Sequence, residues 1–400
     1  MNELLSHVLH GRHDPIRQPD AGGYYQDLFE EVSAYFVSVA PVPELEVVYT
    51  RDRDSMLFVD PRDASHYLVY DQYLGQSINH INTVLRSDCV EEALWVYSHK
   101  VIAERFRSSG RFVEALHFAL LYGELKLFIR RHLLSAMANM NRAFDTRLAE
   151  MFIVAHELAH VSFEEPDNAL MQVFYDANLL YIQQYGIFSG DPSVENEIPK
   201  YVESWTQIPD RLHHYAIELA CDEIATAIIV AAVDSYTESA AATATSLHAT
   251  QLSLRWLSAL SGIITTHLRN GSLESAMYDE FVFGTIRASK NNVNLHRVMS
   301  GLSDSLNRHT TTTASYDGEE LQRIHGSYID LFHDRCFPTL QIARKELEDL
   351  LPEGAGEDAL SKTLDRLGIE PALVEQHGIT RVIDAETGWL LSLEETPDSQ

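Results

Sequence analysis

Two histidines one helical turn apart, with a glutamate after the first, stand at His156-Glu157-Leu158-Ala159-His160. Residues i and i+4 share a helix face, so both imidazoles can reach one tetrahedral zinc ion while Glu157 addresses the water it holds. This H-E-x-x-H spacing proposes a metal and a reaction together: hydrolysis by a metal-activated water with a glutamate as general base. The flanking Met151-Phe152-Ile153-Val154-Ala155 and Val161 are apolar, which predicts a helix buried nearly all round. Imidazole and carboxylate in such surroundings are costly unless a ligand or partner satisfies them. The bland alternative is a pair of satisfied core histidines.

A third ligand is expected from a second apolar helix that carries acids, Ala216-Ile217-Glu218-Leu219-Ala220-Cys221-Asp222-Glu223-Ile224-Ala225. At about 100° per residue Glu218 and Asp222 fall on one face, whereas Glu223 points roughly 140° away from Glu218. Glu218 is the expected zinc ligand, and Asp222 the acceptor for the second N–H of a ligand imidazole, which would fix its tautomer. Glu223 is expected to be solvated or paired elsewhere. His213 and His214 precede this face and are alternative ligands or transition-state donors. The metzincin extension of the motif is absent, since Phe163 stands where glycine is required.

His156-Glu157-x-x-His160 followed by Glu218-x-x-Cys221-Asp222-x-x-Ala225 resembles the gluzincin pattern H-E-x-x-H…E-x-x-A-D-x-x-A of HtpX-type and CAAX-prenyl-protease-like metallopeptidases. The resemblance covers about residues 44–74 and 145–235, with Cys221 in place of the usual alanine. It implies an α+β, mainly helical protein whose zincin-like core has a small antiparallel sheet ahead of the active helix. It also implies that an edge strand of this sheet holds peptide substrate by backbone pairing, and the strand near His66 to Asp71 is the candidate. Those relatives carry membrane spans and this chain shows none, so it would be a soluble cousin.

The remaining elements must position that site. Tyr25, Leu28, Phe29, Val32, Tyr35 and Phe36 recur at helical spacing before Pro41 and Pro43, which predicts an N-terminal helical segment over residues 1–43. Three short runs, 45–50, 56–60 and 67–70, read as the antiparallel sheet that opens a metallopeptidase core over 44–235. Residues 75–145 read as a helical insertion into it. A loop from Gly186 to Pro192, continuing to Pro209, separates the two candidate metal helices. Residues 236–351 read as a helical region. The final segment, 352–400, has a hairpin signal around Asp384-Ala385-Glu386-Thr387-Gly388 and a flexible tail.

Four hundred residues with 45% hydrophobic content suffice for a sizeable core. A net charge of −29 disfavours binding to a phosphate backbone, so nucleic acid is not an expected partner. No signal-peptide pattern and no membrane-length apolar run is present, which predicts a cytoplasmic protein. Cys89, Cys221 and Cys336 are odd in number and widely spaced, and read as ordinary thiols rather than as a disulfide or zinc framework.

Together these features predict zinc-dependent peptide-bond hydrolysis by a soluble metalloendopeptidase acting on protein or peptide substrates. Zn2+ would be held by His156, His160 and Glu218, with Glu157 as base. His214, His309, His325, His333, Tyr316 and Tyr328 are all eligible to stabilise the oxyanion, and the sequence does not choose among them. The exopeptidase motif G-x-M-E-N is absent. The alternative is a non-proteolytic zinc-binding scaffold, against which the intact Glu157 argues, since a structural site needs no base.

Overall fold

The computed structural model describes residues 23–36, 41–48, 53, 55–138, 142–164, 169–188, 202–205, 207–233, 240–309 and 317–387. They are mainly helical with one three-stranded sheet, an α+β arrangement. Helix α1 (Tyr24–Ser33) buries Leu28, Phe29 and Val32 on one face, as the spacing predicts. Strands β1 (Glu44–Val48), β2 (Met56–Val59) and β3 (His66–Asp71) follow.

The sheet order is β1-β3-β2, with β3 antiparallel to β2 but parallel to β1. The sheet is therefore mixed rather than antiparallel. Moreover β3 is the central strand and not an edge, so its backbone is committed on both sides. A turn closes the β2–β3 hairpin, with the Asp60 N–H donating to the Ser65 carbonyl and Asp60 paired with Arg62. Val69 and Tyr67 of β3 pack with Val48 on one face, while Leu68 and Tyr70 join the main core on the other. A strand buried on both faces and paired on both sides has little left to offer a substrate.

Three helices come next: α2 (Gln72–Val84), capped by the Asp71 carboxylate on the Tyr73 N–H, then α3 (Val90–Ser108) and α4 (Phe112–Ala138). The motif helix α5 (Arg142–Glu164) is indeed apolar nearly all round, with Leu148, Met151, Phe152, Val154, Ala155, Leu158 and Val161 buried. Helix α6 (Ala169–Phe188) carries Gly186 inside it, so the expected loop does not begin at that glycine, and residues 189–201 of that expectation lie outside the described residues. Helix α7 (Pro209–Val233) starts on a proline, whose missing N–H costs nothing in a first turn.

Helices α8 (Ala240–Leu268) and α9 (Leu273–His309) form a long antiparallel pair, followed by α10 (Gly318–Leu331), a π-helical turn at Phe332–Cys336, and α11 (Phe337–Glu348). Gly284 lets α8 and α9 close, because a Cβ there would lie 2.5 Å from Arg255 Nε. The chain continues as α12 (Ala355–Leu367), α13 (Pro371–His377) and α14 (Ile379–Thr387). The expected hairpin is thus a helix as far as Thr387, and the rest of that expectation lies outside the described residues. Ile379, Val382 and Ile383, at helical spacing, pack into the core.

One contiguous hydrophobic cluster runs from Leu28 to Ile383 and takes in residues of nearly every helix. At its centre α5 packs on α7, α7 on α9, and α9 on α8. Among the described residues no helix is long and apolar enough to cross a membrane.

Candidate metal centre

His156 and His160 project from one face of α5 toward Glu218 on α7. The Nε2 atoms of the two histidines are 3.3 Å apart, and each is 3.3 Å from a different oxygen of Glu218. Two atoms each about 2.0–2.1 Å from a tetrahedral zinc stand about 3.3 Å from each other. The two imidazole nitrogens thus have the spacing of two ligands of one zinc, and each has one Glu218 oxygen at that spacing from it. Glu157 lies beside them in the same cleft, half-buried.

Asp222, fully buried one turn beyond Glu218, accepts from His156 Nδ1 at 2.9 Å. That bond holds a proton on Nδ1 and turns Nε2 toward His160 and Glu218. Two residues of α9, without any signal in the sequence, complete the support. Arg287 donates to Asp222 from Nε and Nη2, both at 2.6 Å, and its Nη1 is 3.7 Å from Glu218. Asn291 Nδ2 donates to Asp222 at 2.8 Å. Arg287 and Asn291 are four residues apart and so share a helix face, but nothing in their spacing announces a partner on α7.

The electrostatics follow from these contacts. Burial opposes ionisation of both carboxylates, yet Arg287 and His156 outweigh it and hold Asp222 well below the usual carboxylate range. Glu218 is likewise lowered, by His156, His160 and Arg287 against its burial. Burial alone would push His156 toward the neutral form, but Asp222 and Glu218 lift its pKa to about 10. The contacts thus favour positive charge on His156 beside two ionised carboxylates. Cys221 faces the same carboxylates from a buried position, and burial pushes its thiol far up, so it stays neutral.

The other sequence candidates fall elsewhere. The Nδ1 of His214, a mostly exposed side chain, is 4.0 Å from Glu218, at the rim of the ligand set. His213 bonds to the Tyr175 hydroxyl, away from it. His325 and Tyr328 line a second cavity behind Asp222, together with His248. His333 packs edge-on against Phe281. The side chain of His309 and the whole of Tyr316 lie outside the described residues. Glu223 is buried rather than solvated, and is held by Lys290, Arg297 and Asn178. All three cysteines are free and buried.

The cleft in front of the ligand set has a volume of about 470 Å³ and opens to solvent. Leu74, Val101, Phe152, Ile153, Leu254 and Leu257 supply its apolar surface, while α8 contributes Ser258, Ser261, Gly262, Thr265 and Thr266. Ser55, the residue before β2, also lines it. A further group of ligand-type atoms, from Asp88, Cys89 and His132, lies at the surface, where Asp88 and His132 already bond to each other at 2.8 Å. In comparisons with known proteins, no family model, no curated protein and no solved structure matches this chain.

Proposed function

We propose that the chain is a zinc-dependent peptide hydrolase. The observation that carries the reading is the convergence of His156 Nε2 and His160 Nε2, 3.3 Å apart, on the Glu218 carboxylate, each 3.3 Å from one of its oxygens, with the far side of His156 held by Asp222. Bound by these three, zinc would polarise a scissile carbonyl and lower the pKa of a water to about 7. Glu157 takes the proton of the attacking water as its oxygen bonds to the carbonyl carbon. The same carboxyl then delivers that proton to the amine nitrogen as the C–N bond breaks.

Other residues keep those groups in place. Asp222 fixes the tautomer of His156, and Arg287 with Asn291 fixes Asp222. Among the eligible side chains that are described, His214 stands at the rim of the ligand set, 4.0 Å from Glu218, and is assigned as the oxyanion donor. An extended peptide would pair with β2, an edge strand beginning just after the cleft-lining Ser55, and not with the central β3.

The test is Glu157→Gln. The variant is expected to bind one zinc and to melt like the wild type, yet to lose peptide hydrolysis by at least about 10²-fold, the scale of general acid–base catalysis. His156→Ala should instead lose the metal. If zinc is bound but no peptide is cut by the wild type, and Glu157→Gln is fully functional in cells, the zinc-binding scaffold is the correct reading.

A further inference from the structure

We propose that Glu280 makes this cleft selective for substrates with a cationic group, an ammonium or guanidinium, beside the scissile bond. The inference rests on the hydrolase reading and adds to it a substrate class.

Six charged residues line the cleft, and the others have evident commitments. Glu218 and Glu157 belong to the reaction centre. Arg287 is held by Asp222, and Arg53 is in a buried pair with Glu104. Arg105 donates to the Ser261 hydroxyl at 2.6 Å. Glu280 has no part in the ligand set, and it forms no ion pair with any described residue.

Its carboxylate is nevertheless deliberately housed. Glu280, Gly284, Arg287 and Asn291 follow one another along a single face of α9, so the helix that supports Asp222 also presents Glu280 to the cleft. Ser258 of α8 donates to Glu280 Oε2 at 3.1 Å. The opposing residue is Gly262, where a Cβ would come within 3.3 Å of Glu280 Cγ. The neighbouring Asp279 is turned away, accepting from Trp205 and Tyr215 and pairing with Arg211.

A carboxylate has about four acceptor sites, and a single hydroxyl fills one. Burial, with Asp279 and Glu218, disfavours its charge and outweighs the opposing help of the Ser258 hydroxyl and Arg287, so the pKa is raised. A cation arriving with the substrate would relieve that penalty through charge-assisted hydrogen bonds. Leu254 and Leu257, on the same helix as Ser258, offer apolar surface for the methylene stem of a lysine or arginine.

The chemistry is shared by a basic side chain and by a free amino terminus, and a peptide series separates them. Hexapeptides with lysine, norleucine or glutamate at one central position, each with a free or acetylated amino terminus, are titrated into zinc-loaded Glu157→Gln protein. The same series is titrated into Glu157→Gln/Glu280→Gln and Glu157→Gln/Glu280→Lys, after thermal melts establish that each is folded. Cationic peptides should bind about 10- to 100-fold tighter than their uncharged partners, with the ratio falling toward one in Glu280→Gln. Glu280→Lys should turn the preference toward glutamate. Sensitivity to acetylation assigns the cation to the amino terminus, and sensitivity to norleucine assigns it to the side chain. A ratio unchanged by Glu280→Gln, tightest binding of the glutamate peptides to the parent protein, or no peptide binding at all overturns the proposal. Turnover by the otherwise wild-type protein is read separately: Glu280-dependent binding without cleavage refutes the hydrolase reading and leaves the cation site standing.

Discussion

Replacing Asp222 by asparagine isolates what one carboxylate does for the candidate metal centre. It accepts from His156 Nδ1, from Arg287 Nε and Nη2, and from Asn291 Nδ2. Asparagine keeps the shape but has one acceptor oxygen, so its own N–H groups must meet at least one of these donors. Two losses follow. Among the described residues Arg287 retains only Glu218, at 3.7 Å, as an ion-pair partner. Removing one partner of a buried pair costs about 3–5 kcal/mol, and the residual attraction to Glu218 places the expectation near the lower figure, about 3 kcal/mol of unfolding free energy. His156 also loses the acceptor that sets its tautomer, which should weaken zinc binding by about 10- to 100-fold, or about 1.4–2.7 kcal/mol. Denaturant unfolding reads the first loss, and competition against a chromophoric chelator reads the second. Glu223→Gln is the control: Glu223, on α7 like Asp222, pairs with the buried Lys290 and the exposed Arg297 of α9, so the variant should lose stability while the folded protein keeps its zinc affinity. An Asp222→Asn protein with wild-type zinc affinity would refute the reasoning, as would equal weakening of zinc binding in both variants.

Three further outcomes are expected. His214→Gln should keep zinc but reduce kcat by about 10²-fold if it is the oxyanion donor, whereas a change in KM alone would remove it from that role. Lys100, fully buried, donates to the Thr387 carbonyl at the end of α14 and pairs with Glu104; Lys100→Met should cost about 3–5 kcal/mol, and hydrogen exchange should show α14 opening first. Burial holds His248 to a pKa of about 3 and His325 to about 4, from an ordinary 6.5, so the unfolded chain binds more protons in that interval. Their contribution is present above pH 6.5 and is lost as pH falls toward 4; His248→Gln should therefore flatten the acid side of a stability-against-pH curve, and an unchanged slope would contradict the assignment.

The positions of His156, His160, Glu218 and Asp222 were legible because helical periodicity alone decides which residues of one segment share a face. Arg287 and Asn291 were not, since their contacts with Asp222 span 65 and 69 residues of chain and depend on how α9 crosses α7. Strand existence was legible from β-rich runs between turn residues, but strand direction was not. Parallel pairing of β1 with β3 is decided by β3 inserting between its predecessors, which leaves no mark on local alternation. The C-terminal misreading has a local cause. Glycine after Thr387 is as good a helix stop as a hairpin signal, and the apolar spacing of Ile379, Val382 and Ile383 suits the helix that buries them.

The clamp on Asp222 also bears on when metal is acquired. In small zinc modules the ion is the only force that gathers its ligands, so such chains are unfolded until it arrives. Here the innermost carboxylate is already neutralised and fully bonded by Arg287, Asn291 and His156, inside a core that extends far beyond the site. If zinc is the ligand proposed, folding should not wait for it. A chelator should then strip the ion and leave an intact, reloadable protein, so that zinc supply would act as a reversible switch on the proposed activity without touching the life of the fold.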